Sequence, residues 1–264
     1  MTIWQAVILG VVQGIAEFIP ISSSGHLVVL QHVFGIDEPG MTFDIIVHIG
    51  SLCAVFAVFW QDILKLIRNP FQKMTLMLIL GTLPAVVVGF TIRQHMHIFN
   101  QALILAAAFV FTGVLLLIAD NVKHANKTMK EMTALDALVV GCMQAVALVP
   151  GISRSGATIT GALVSGVNRE TAARFSFLLS IIAILGAGSL EALDVLQSYE
   201  GVYRGDIPAF MIGFVMSALA GYFAIRLLLE LIKKCQLKYF SYYVFVLAAL
   251  ILADRFIFGL FFFY

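Results

Sequence analysis

Six stretches of nineteen to twenty-four residues, 41–60, 74–92, 101–119, 171–194, 209–232 and 241–260, are predominantly apolar. A helix needs about 20 such residues to cross the hydrocarbon core of a bilayer. Inside that core every backbone N–H and C=O must be satisfied within the protein, and for runs of this length without alternation the helix is the way to do it. Composition agrees. With 61% hydrophobic residues, 12% charged residues and a mean hydropathy of +1.01, the chain falls outside the range of water-soluble domains. An all-α polytopic membrane protein is therefore expected, as one integral-membrane domain over residues 1–264. The formal charge of +1 gives no reason to expect nucleic acid. Cys53, Cys142 and Cys235 stand alone, without metal or disulfide spacing. No basic residue precedes Trp4, so a cleaved leader is not expected.

Two further apolar regions are broken in the middle by polar residues. In residues 4–35 a run carrying Gln13 and Glu17, four apart and so on one helical face, stops at Pro20. The polar turn Ser22-Ser23-Ser24-Gly25-His26 follows, and then a second apolar run. In residues 133–167 the same plan recurs around Pro150-Gly-Ile-Ser-Arg-Ser-Gly-Ala-Thr158. Residues 6–25 align without a gap on residues 137–156, 131 positions on, with eight identities in twenty that include Gln13/Gln144, Ser22/Ser153, Ser24/Ser155 and Gly25/Gly156. The differences are as telling: Glu17 faces Leu148, and Ser23 faces Arg154. An acid and a hydroxyl in one copy stand where the other has a leucine and a fixed cation, as if two copies had divided the work of one site.

Segments 4–20 with 23–35, and 133–149 with 157–167, are too short to span separately and read as two re-entrant helical hairpins. Lys65, Arg68, Lys73, Lys123, Lys127, Lys130, Arg169, Arg174, Lys233, Lys234 and Lys238 all fall on one side of a six-span arrangement. That side is expected to be cytoplasmic, which leaves both termini external. Each half, about 1–131 and 132–264, is then one hairpin and three spans. An odd number of spans inverts the second half, giving an inverted-topology repeat with its site near the midplane, where broken helices meet.

Ionisable groups at membrane depth are costly and mark functional sites. Arg154 offers a planar guanidinium suited to bidentate phosphate contact. The Ser/Gly turns, with Ser22, Ser24, Gly25, Ser153, Ser155, Gly156 and Thr158, can turn backbone N–H groups and helix N-termini towards an anion. Glu17 suits a general base, a cation ligand or both, with Gln13 as a neutral second ligand. Such hard oxygen donors fit Mg2+ or Ca2+. Asp44 and His48, four apart, fit either a support for this site or a structural pair near the external surface.

The two motifs together, Gln13-x-x-x-Glu17 with Pro20-x-Ser-Ser-Ser-Gly-His26, and Pro150 to Thr158, resemble those of the undecaprenyl-diphosphatases, the bacitracin-resistance phosphatases. The resemblance covers essentially the whole chain. One position departs from it: Gln13 stands where that family often has Glu. The resemblance implies a membrane phosphatase that converts undecaprenyl diphosphate and water to undecaprenyl phosphate and phosphate. It thereby recycles the lipid carrier of bacterial cell-wall synthesis and lowers sensitivity to bacitracin. It implies Ser23 as nucleophile and His26 as acid–base group or phosphate stabiliser, while the residues alone leave His26 or water open as nucleophile. A bacterial plasma-membrane location follows, with the site opening to the external side and a polyprenyl diphosphate as partner; a homodimer stays open. The residues themselves imply only a membrane-embedded anionic ligand, so a transporter or flippase of a polyprenyl phosphate is the alternative.

Overall fold

The computed structural model describes residues 1–36, 41–92, 101–123, 125–197, 207–234 and 236–262. Among these residues it holds ten α-helices and no strand. They are α1 (Ile3–Phe18), α2 (Ser23–Val33), α3 (Met41–Arg68), α4 (Lys73–Ile92), α5 (Ala102–Asn121), α6 (Ala134–Val146), α7 (Arg154–Val164), α8 (Arg169–Gln197), α9 (Ile207–Lys234) and α10 (Lys238–Ala253). Six of them, α3, α4, α5, α8, α9 and α10, are long and apolar enough to cross a bilayer, matching the six expected spans. By contrast α1, with 16 residues, is only about 24 Å long and α6, with 13, about 20 Å, short of a hydrocarbon core of about 30 Å. Helix α3 continues past residue 60 to Arg68, with a kink at Phe59 (φ −104°, ψ 19°). A last π-helical turn, Asp254–Phe258, follows α10. Beyond it the Asp254 carboxylate accepts N–H bonds from Leu260, Phe261 and Phe262, which turns Phe262 onto the His32 ring of α2.

The packing of these helices follows the duplication. Helix α1 lies on α9, and its counterpart α6 lies on α4, so each half places its first helix against the other half's equivalent span or its own. Glycine makes both contacts close. A Cβ at Gly10 would come within 2.5 Å of the Gly213 carbonyl oxygen, and one at Gly141 within 2.6 Å of that of Gly81. Lipid tails are as apolar as leucine, so helix association in a membrane relies on close approach of this kind rather than on a hydrophobic contrast. The correspondence also extends past the aligned segment, one residue further on. Gly213 packs under Phe43 and Val47, and Gly81 under Phe175 and Leu179, so Asp44 corresponds to Ser176 and His48 to Ser180.

Between these contacts lies a core in which Phe18, Phe59 and Phe177 pack edge-on and tilted. The tips of the two helix pairs, α1–α2 and α6–α7, meet beside it.

Candidate active site

The first tip is shaped by its proline. A residue before Pro is pushed out of the helical region, and Ile19 is extended (φ −67°, ψ 136°), so α1 ends at Phe18. The chain restarts at once because the Ser22 hydroxyl accepts the Gly25 N–H at 3.3 Å and caps α2. At the second tip Ser153 accepts the Gly156 N–H at 3.1 Å and caps α7, which begins at Arg154, three residues before the expected start. The two turns resolve their tight backbone differently. Gly151 takes the left-handed conformation (φ 94°) in the second. Its counterpart is Pro20, whose ring forbids positive φ, and the first turn places it instead at Ser22 (φ 72°). A non-glycine there costs about 1–3 kcal/mol.

Glu17, 7% exposed, is the centre on which both halves converge. One oxygen, Oε1, accepts from Arg154 Nη2 at 2.9 Å. The other, Oε2, accepts from the Ser23 hydroxyl at 2.6 Å and from Gln13 Nε2 at 3.1 Å. The second arm of Arg154, Nη1, donates to the Ser176 carbonyl at 3.3 Å. Ser23 and Arg154, the two residues aligned by the duplication, are thus the first residues of α2 and α7 and share one carboxylate. Two helix N-termini, each with unpaired N–H groups and the positive end of a dipole, meet at this point. An anion is the natural ligand of such a junction.

His26 lies one turn further along α2. Its Nδ1 is 2.6 Å from the Ser22 carbonyl oxygen, which can only accept, so Nδ1 carries the hydrogen. Nε2 then accepts from the Tyr243 hydroxyl at 2.7 Å, and the two rings stack (centroids 5.6 Å apart, 8°). Phe109 closes the edge.

The remaining site residues divide into groups. Ser24 and Ser155 face the capping hydroxyls at 3.4 and 3.2 Å. Gly25 and Gly156 let the tips touch: a Cβ at Gly25 would meet Gly151 Cα at 3.0 Å, and one at Gly156 would meet Pro20 at 3.4 Å. Thr158 bonds back to the Arg154 carbonyl at 2.8 Å and to the Ser176 hydroxyl at 2.6 Å, so it supports Arg154 from below. Asp44 and His48 do pair, but through the Asp44 backbone oxygen, which accepts from His48 Nδ1 at 2.7 Å; the Asp44 carboxylate takes Gln31 Nε2 at 3.0 Å. His48 Nε2 lies 3.7 Å from Glu17 Oε2.

Three contributors escape sequence reasoning. Tyr243 sits in the aromatic stretch of a span and carries no local mark. Ser176 is a lone hydroxyl on an apolar helix, and only its correspondence to Asp44 could have found it. Thr112 holds the second turn by donating to the Gly151 carbonyl and accepting the Ser153 N–H, both at 3.0 Å.

For a divalent cation, the unpartnered donor atom is Gln13 Oε1, buried beside Glu17. One carboxylate and one amide oxygen are the sparse hard donor set that Mg2+ accepts when phosphate oxygens complete its shell, so these residues fit the group.

Comparisons with known proteins agree with this geometry. The family model for bacitracin resistance protein BacA matches residues 6–250. An undecaprenyl-diphosphatase of Carboxydothermus hydrogenoformans is 43% identical over 253 residues, 96% of this chain and 97% of its own length. One of Bacillus cereus, named undecaprenyl-diphosphatase 4, is 42% identical with the same coverage. One of Alkaliphilus metalliredigens is 39% identical over 274 residues, 96% of this chain and 98% of its own. The agreement runs almost from end to end, and on it the chain belongs to the bacitracin resistance protein BacA family.

Proposed function

We infer that this chain is a membrane phosphatase that hydrolyses undecaprenyl diphosphate to undecaprenyl phosphate and inorganic phosphate. The family and its named relatives support this. The observation that carries the chemistry is the convergence of Ser23 and Arg154 on the two oxygens of Glu17.

In our reading Arg154 and the N-termini of α2 and α7 hold the diphosphate oxygens. Ser23, its proton already directed at Glu17 Oε2, attacks the terminal phosphorus as Glu17 takes that proton. The Ser23 Oγ–P bond forms and the P–O bond to the polyprenyl phosphate breaks. Water then attacks the seryl phosphate, giving a proton to Glu17, which returns it to Ser23 as phosphate leaves. Ser22, Ser24, Gly25, Ser153, Ser155, Gly156 and Thr158 shape and support the two turns around the anion. His26, held by Tyr243, is a neutral donor or acceptor beside them. Mg2+ or Ca2+ would be held by Glu17 and Gln13, and when bound supplies neutralisation of diphosphate charge.

We propose further that the halves about 1–131 and 132–264 form an inverted repeat whose helix pairs α1–α2 and α6–α7 are re-entrant. The protein then resides in the bacterial plasma membrane with its site opening externally. His48, which lies beside Glu17, is only about two turns from the external start of α3 at Met41, in keeping with that opening. In a cysteine-free background, a single cysteine at position 2 should be labelled from outside and one at 126 from inside. Labelling of both from one side would refute the topology.

The test of function is timed phosphate release from a polyprenyl diphosphate by purified protein in detergent, where transport has no second compartment to act across. Glu17→Gln should abolish release while leaving the fold intact. A Glu17→Gln protein with near-normal rate would remove Glu17 from the chemistry.

A further inference from the structure

Hydrolysis of the fully ionised diphosphate yields two phosphates and one proton. In the two steps above, the second returns its proton to Ser23. The net proton therefore arrives on Glu17 when Ser23 attacks, and it must leave before Glu17 can act on water. Glu17 is buried, and its hydrogen-bond partners cannot remove the proton: Arg154 is permanently protonated, while Gln13 and Ser23 are neutral donors.

We propose that His48 takes this proton from Glu17 and passes it to the external solution, an assignment that rests on the phosphatase reading. Three observations carry it. First, the Asp44 carbonyl fixes the His48 hydrogen on Nδ1 at 2.7 Å, which leaves the lone pair of neutral Nε2 free. Second, Nε2 is 3.7 Å from Glu17 Oε2, the same oxygen that receives the Ser23 proton. That gap is longer than a hydrogen bond by about 0.5–1 Å, within reach of a side-chain rotation once protonation loosens Glu17 from Arg154. Third, the His48 side chain is 29% exposed while that of Glu17 is 7% exposed, so the imidazole links a closed group to an open one.

No other base among the described residues is placed this way. His26 has its Nε2 occupied by Tyr243. The Asp44 carboxylate, on the same helix as His48, is held by Gln31 of α2. From α9 the facing group is Ser217, whose hydroxyl donates to the Val47 carbonyl. In the second half the residue corresponding to His48 is Ser180, and its hydroxyl donates to the Phe177 carbonyl. The base is thus present only in the half that carries the acid. An imidazole with an ordinary pKa near 6.5 accepts a proton from a carboxylic acid near 4.3 and gives it up again to neutral solution. His48 acts through Glu17 and does not touch the substrate.

The experiment is steady-state hydrolysis of a polyprenyl diphosphate by full-length His48→Ala in detergent, with imidazole added over a concentration series. We expect kcat to fall by about 10²-fold, KM to change little, the solvent deuterium isotope effect on kcat to rise, and imidazole to restore rate in proportion to its concentration. Wild-type kcat in the variant overturns the proposal. So does a loss that imidazole does not reverse, since that is what a packing role produces. If His48→Ala does not fold, His48→Gln replaces it: a kcat loss at unchanged Tm with a raised isotope effect supports the relay, and a near-normal kcat overturns it. Failure of the phosphatase reading looks different, because the wild-type protein would then release no phosphate.

Discussion

Replacing Arg154 by lysine separates the charge of this residue from its shape. The guanidinium now spans two partners, with Nη2 on Glu17 at 2.9 Å and Nη1 on the Ser176 carbonyl at 3.3 Å. A lysine ammonium in its place can reach Glu17 or a phosphate oxygen, but it cannot present two parallel donors to one anion. Removal of one preorganised donor aimed at transition-state charge costs about 3–4 kcal/mol, or about 10²–10³-fold in kcat. The fold should be spared, because Glu17 keeps a cation. It escapes the ~3–5 kcal/mol that follows when one member of a buried pair is deleted. Arg154→Lys should therefore lose kcat with little change in KM and keep a Tm within a few degrees of the parent. Arg154→Ala should lose both activity and stability. Steady-state kinetics on a polyprenyl diphosphate, with thermal unfolding in the same detergent, measures both quantities. Wild-type kcat in the lysine variant would show that Arg154 serves only as the counter-charge of Glu17, and the convergence of two half-sites would lose its chemical meaning.

Ser23→Ala should be inactive in the same assay, and Ser23→Cys should keep at most a trace; a fully active alanine variant would assign the attack to water. Gly141→Ala forces a methyl to within 2.6 Å of the Gly81 carbonyl oxygen, so thermal unfolding should show a loss of about 1–3 kcal/mol. An unchanged Tm would mean that α4 and α6 can separate freely. Tyr243→Phe keeps the ring stacked on His26 but deletes its hydroxyl, so kcat should fall by no more than about tenfold, the ~1 kcal/mol of one neutral hydrogen bond. A complete loss would place Tyr243 itself at the reacting atoms.

Much of this protein is local and can be read from the chain. The length of each apolar run fixes helices of spanning length, since the bilayer leaves the backbone no other partner. Pro20 ends α1 and the serines cap α2 and α7 through contacts no more than a turn away. The duplication is visible as Gln13/Gln144 and Ser22/Ser153 in register, and the charge difference between Ser23 and Arg154 points to a shared site. What the chain does not display is how its helices cross. Along α4 the exposed Leu83, Val87 and Phe90 are as apolar as the buried Met77 and Leu78, so hydropathy does not say which face turns inward. That decision rests on backbone contacts such as Gly10 on Gly213 and Gly141 on Gly81. It brings Arg154 to Glu17 across 137 positions and Tyr243 to His26 across 217. It also sets Ser176 under Arg154 and His48 beside Glu17. Sequence determined the groups and their local turns. Tertiary structure decided which of them share a proton, because in a membrane the inward and outward faces of a helix are built from the same apolar residues, and only close packing tells them apart.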